Sequence, residues 1–69
     1  MTIGEIIQQR RKAAGLTQRQ LGEAIGIEGR SGENHIQKWE YNQLTPSLKY
    51  LRPLCRALHC TLEELIPPE

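Results

Sequence analysis

Apolar residues recur along this chain at intervals of three and four, and no stretch shows the sustained alternation of a half-buried strand. Ile3, Ile6, Ile7, Ala13 and Ala14 fall on one helical stripe, opened by Thr2-Ile3-Gly4-Glu5. That tetrad is a capping box: the Thr2 hydroxyl accepts from an early backbone N–H and Glu5 answers the Thr2 N–H. Gly15 supplies a left-handed stop. A second box, Thr17-Gln18-Arg19-Gln20, opens a short helix over about 18–25, with Leu16 placed to staple Leu21 and with Leu21, Ala24 and Ile25 turned inward. Gly26 stops it. Gly22 on its other flank weakens the helix by about 1 kcal/mol relative to Ala, which is explained by close packing on the next helix or by relaxed sequence constraint.

Glu28-Gly29-Arg30-Ser31-Gly32 has the composition of a loop. Ser31 is the expected N-cap of a third helix running from Gly32 or Glu33 to Tyr41, with Ile36 and Trp39 inward, Tyr41 undecided, and Asn42 as its left-handed terminator. A turn at Leu44-Thr45-Pro46-Ser47 precedes a fourth helix with Leu48, Leu51, Leu54, Cys55 and Leu58 on one face. Pro53 predicts a kink or a restart within it, since an interior proline loses a hydrogen bond and clashes with the preceding turn. Thr61-Leu62-Glu63-Glu64 is a further capping box, followed by Leu65 and Ile66 and ended by Pro67-Pro68.

The expected architecture is therefore all-α: a compact bundle of four to five short helices in a single domain over 1–69. Sixty-nine residues bury only a modest core. The net charge of +1 hides an uneven distribution: from Arg10 to Arg56 nine basic residues face four glutamates, and the remaining acids lie at the two ends. A local basic excess suits a phosphate backbone as partner.

No signal-peptide pattern or membrane-length apolar run occurs, so a cytoplasmic chain with no membrane partner and with Cys55 and Cys60 reduced is expected. Cys55, His59, Cys60 and a distant His35 are a poor metal set, and neither metal nor cofactor is expected. No nucleophile, base and orienting group stand at credible spacing around His35 or His59, so no catalytic residue is assigned and an enzyme is not expected.

Two short helices joined by a turn inside a small bundle form the helix-turn-helix arrangement. Its second helix enters the major groove, where base edges present distinct donors and acceptors. Here that helix offers Glu33, Asn34, Gln37 and Lys38 opposite Ile36 and Trp39. Asn and Gln pair bidentately with adenine and Lys reaches guanine. Glu33 accepts from cytosine or else stabilises the helix dipole. The plainer alternative is that all four only solvate a surface.

The chain resembles the Cro/C1-type (XRE-like) helix-turn-helix family, which includes phage repressors with the lambda-repressor-like fold. The resemblance lies in Ile3-Gly4-Glu5-Ile6-Ile7 with Arg11, Gly15-Leu16-Thr17-Gln18, Gln20-Leu21-Gly22, Ile25-Gly26-Ile27, Ile36-Gln37-Lys38-Trp39-Glu40, Pro46-Ser47-Leu48 and Ala57-Leu58, covering residues 3 to about 65. It implies sequence-specific binding of double-stranded DNA by a transcriptional regulator, a repressor, working as a homodimer. The competing expectation is a protein-interaction module, an antitoxin or adaptor with a protein partner, built on the same bundle.

The resemblance places base reading on Glu33, Asn34, Gln37 and Lys38. It places phosphate contact on Gln18 and on Asn42 and Gln43, with Thr45 and Ser47 nearby, and a partly buried ion pair on Arg11 and Glu40. Pairing of two copies through Leu62, Leu65, Ile66 and Cys60 competes with closure of the monomer core by the same residues. One departure stands out: eight residues separate Ile27 from Ile36, where the family has about four. The extra residues are expected to widen the turn, leaving Arg30 in a loop within reach of a phosphate or the groove edge, or else inert on the surface. Pro53 is a second departure, and Pro67-Pro68-Glu69 would suit the start of a linker.

Overall fold

The computed structural model describes residues 1–67. Among these it forms five helices and no strand: α1 (Ile3–Ala13), α2 (Gln18–Ala24), α3 (Gly29–Glu40), α4 (Leu48–Leu58) and α5 (Leu62–Leu65). The expected linker start at Pro67-Pro68-Glu69 lies largely outside the described residues.

Local sequence sets most helix ends. Thr2, Thr17 and Thr61 each form a complete capping box, with Glu5, Gln20 and Glu64 returning to the cap N–H. Four helices end in the same double hydrogen bond. Gly15 and Leu16 donate to Lys12 and Arg11, Gly26 and Ile27 to Glu23 and Gly22, Asn42 and Gln43 to Trp39 and Lys38, and His59 and Cys60 to Arg56 and Cys55. This 5→2 and 6→1 pattern satisfies carbonyls that a helix end otherwise leaves open. Asn42 and His59 take the left-handed conformation in it at φ 59° and 54°.

The core is one cluster of Ile7, Leu21, Ile25, Ile36, Trp39, Leu54, Leu58 and Leu65, with Ile3, Ile6, Leu16, Ile27, Leu51 and Cys55 packed against it. Every helix contributes. Trp39 lies 5.5 Å from the Tyr50 ring and 6.0 Å, edge on, from His35. Several expected inward positions are not inward. Ala13, Ala14 and Ala24 are exposed. Leu48 is 81% exposed at the start of α4, beyond the core's edge, and Tyr41 is exposed past the end of α3.

Two expectations about chain breaks are corrected. The segment read as a loop, Glu28 to Gly32, is the N-cap and first turn of α3, and Glu28 rather than Ser31 is the cap residue. Its glycines mislead. Gly29 enters the helix with φ +65°, and Gly32 is buried against α2, where a side chain would overlap the Ile27 carbonyl. The four extra residues thus lengthen α3 by about one turn and leave the α2–α3 connection short. Pro53 does not restart α4, which runs as one helix through it. Burial of Leu54 and Leu58, roughly 1.5–3 kcal/mol each, outweighs the cost of about 3 kcal/mol for an interior proline.

Candidate nucleic-acid interface

The site is built outward from the buried side of α3. Gly32, Ile36, Trp39 and Glu40 are buried, and the opposite side of the helix is turned to solvent. Arg30, Asn34, Gln37 and Lys38 are all exposed. Positions 30, 34 and 37 stand at i, i+4 and i+7, one stripe along the helix. Lys38 flanks it, and with Ser31, Asn34, His35 and Leu44 it lines a shallow cleft. On this flank the His35 ring Nδ1 lies 2.7 Å from the Ser31 carbonyl, which holds the imidazole against the helix.

The orientation of α3 is held by a polar cluster joining three helices. Arg11 on α1 places Nε 2.6 Å and Nη2 3.2 Å from the two carboxylate oxygens of Glu40, a two-pronged ion pair. The Glu40 side chain is fully buried. A third Arg11 nitrogen donates to the Leu16 carbonyl at 2.9 Å, and the Gln18 amide donates to Glu40 at 3.2 Å. The end of α1, the start of α2 and the end of α3 thus share one carboxylate. Among the described residues no buried side-chain nitrogen or oxygen lacks a partner, which is the condition for such a cluster to be tolerated.

The remaining residues singled out from the sequence separate. Glu33 is half-buried on the α2 side of α3, its carboxylate 3.6 Å from Arg19 Nε, off the exposed stripe. Gln18 stands at the first turn of α2 with its amide engaged by Glu40. Asn42 is exposed, and its amide donates to the Thr2 hydroxyl at 3.1 Å, tying the end of α3 to the cap of α1. Gln43, Thr45 and Ser47 are exposed on the following loop.

Arg30 is the largest change. Expected in a flexible loop, it stands on the first turn of α3 in line with Asn34 and Gln37. A sequence signal for this exists: Gly29, Gly32, Ile36, Trp39 and Glu40 continue one inward helical stripe, provided glycine counts as a position of close approach. Tyr41, undecided from the sequence, is exposed and lines an open groove with Lys12, Gln18 and Arg19. No helix among the described residues is long and apolar enough to cross a membrane.

Comparison with known proteins matches these features. The profile of the helix-turn-helix family matches residues 7–65. No curated protein matches the chain. Among solved structures, the P22 c2 repressor protein, in complex with synthetic operator 9T in the presence of Tl+, is similar with a TM-score of 0.87 and 29% identity. The match covers 100% of this chain and 98% of that one. With two helices joined by a short connection, an exposed polar stripe on the second helix and a family match over most of its length, the chain belongs to the helix-turn-helix family, in the Cro/C1-type, phage-repressor-like group that its motifs resemble.

Proposed function

We propose that this chain is a sequence-specific double-stranded DNA-binding protein, a transcriptional regulator of repressor type, that lays α3 in the major groove. The observation that carries this reading is the division of α3 into two faces. One is buried through Gly32, Ile36 and Trp39 and braced by the Arg11–Glu40 pair; the other presents Asn34, Gln37 and Lys38 to solvent. Such a helix is fixed in angle and free to meet base edges, with Asn34 and Gln37 suited to adenine and Lys38 to guanine. The likeness to a repressor solved on an operator supports the same use of the fold.

Gln18, at the start of α2, and Gln43, on the loop after α3, flank that face and are proposed to meet phosphates. Asn42 is proposed to meet phosphate through the side-chain N–H that its bond to Thr2 leaves free, since its backbone N–H is bonded to the Trp39 carbonyl. Glu33 is proposed to act on specificity through Arg19 rather than by touching a base. Two copies are proposed to pair through α5, which leaves Leu62 and Ile66 exposed, and so to bind half-sites about one helical turn apart.

The test is Gln37→Ala and Lys38→Ala, each measured by DNA titration on a site selected from random sequence and by circular dichroism. Loss of affinity for that site with the helical spectrum intact is the expected result. Unchanged affinity in both variants removes α3 as the reading element.

A further inference from the structure

Resting on the DNA-binding reading above, we infer that the added first turn of α3 makes Arg30 a base-reading residue that takes a guanine beyond the pairs met by Asn34 and Gln37. Three observations carry this. Arg30 stands four residues before Asn34 and seven before Gln37 on one exposed stripe. It has no ion-pair partner among the described residues, a state it shares with Arg52 and Arg56, whereas Arg10, Arg11 and Arg19 are paired with Glu64, Glu40 and Glu33. The acid best placed to neutralise it, Glu33 at i+3, is drawn across to Arg19 on α2.

The buried side of the turn explains why it holds. Gly22 and Gly32 meet backbone to backbone, so α3 starts early without moving away from α2. The turn is therefore part of a rigid helix and its arginine projects from a defined position. A reading helix meets base edges with its N-terminal residues. Four residues span about 6 Å of helix axis, close to two base-pair steps at about 3.4 Å each. The planar guanidinium fork matches the O6 and N7 acceptors of guanine, which no other base presents as a pair of acceptors in the major groove.

The alternative for the same side chain is a phosphate contact, and the two differ in what they do to sequence preference. The experiment selects binding sites from random DNA with the full chain and with Arg30→Ala and Arg30→Lys, then titrates the wild-type site across salt concentration, with circular dichroism as the fold control. The inference predicts a guanine in each half-site whose preference Arg30→Ala erases while other positions keep theirs, with affinity for the site falling about ten- to hundredfold. Arg30→Lys, which keeps the charge without the fork, weakens that preference and leaves the salt slope in place. Uniform weakening by Arg30→Ala across all sequences, with the slope lowered by about 0.9 and every base preference retained, makes Arg30 a phosphate contact and overturns the inference alone. A wild-type chain that selects no sequence overturns both this inference and the function it rests on.

Discussion

Gly22 and Gly32 touch backbone to backbone: a methyl group added to Gly22 would come within 2.7 Å of the Gly32 Cα. This contact sets the closeness of α2 and α3 and lets α3 begin a turn earlier than the composition of residues 28–32 suggests. Alanine at Gly32 meets the Ile27 carbonyl, which belongs to the connection itself and cannot rotate away as a side chain can. Gly32→Ala is expected to cost about 2–3 kcal/mol, the upper range for overpacking, read as a lowered urea midpoint with an unchanged slope. A neutral result would show that the two helices separate freely.

The Arg11–Glu40 pair is expected to behave as a buried charge pair. Arg11→Met leaves Glu40 buried with only the Gln18 amide as partner and should cost about 3–5 kcal/mol. The double variant Arg11→Met, Glu40→Leu should recover a substantial part of that loss, because the orphaned charge is gone. Equal loss in single and double variants, in a double-mutant cycle of urea unfolding, would contradict this account.

The capping boxes predict an acid sensitivity at two of the three helices that carry them. Backbone and hydroxyl hydrogen bonds from Thr2 and Thr61 hold Glu5 and Glu64 below the usual carboxylate range. A group lowered in the folded state contributes stability above its unfolded pKa and loses it as pH falls through the folded value. The melting temperature should therefore drop as pH falls below about 4.3, the ordinary glutamate value, and Glu5→Gln with Glu64→Gln should flatten that drop. The box at Thr17 uses Gln20, which does not titrate, so Gln20→Ala should weaken stability equally at pH 4 and pH 7.

The last helix divides its apolar residues between core and surface. Leu65 is fully buried, while Leu62 and Ile66 are each 43% exposed. Leu65→Ala should cost about 2–5 kcal/mol of stability. Leu62→Ser with Ile66→Ser should leave the monomer fold intact and weaken the proposed homodimer, as read by sedimentation velocity over a concentration series. A sedimentation coefficient identical to that of the unmodified chain at every concentration would move the pairing surface elsewhere.

Helix number, the three capping boxes and the burial of Ile36 and Trp39 were all legible in the chain. So was the meeting of Arg11 with Glu40, through family resemblance. What escaped has a common cause. Gly29 and Gly32 were read as loop residues because glycine lacks a side chain that declares its face, and only the approach of α2 shows that Gly32 needs none. Pro53 shows its local cost in the sequence, whereas how much Leu54 and Leu58 gain by burial on either side of it is set by the helices they pack against. That Arg19, fourteen residues earlier, stands beside Glu33 depends on how α2 packs on α3.

The order of residues alone determined where helices start, stop and turn an apolar face, since caps and periodicity act within a few residues of backbone. Tertiary structure decided which of those faces finds a partner and which residues remain free. Close packing of α2 on α3 turned a glycine-rich stretch into a helical turn and stood Arg30 in line with Asn34 and Gln37. Distances between segments far apart in the chain settle such questions, and no local pattern contains them.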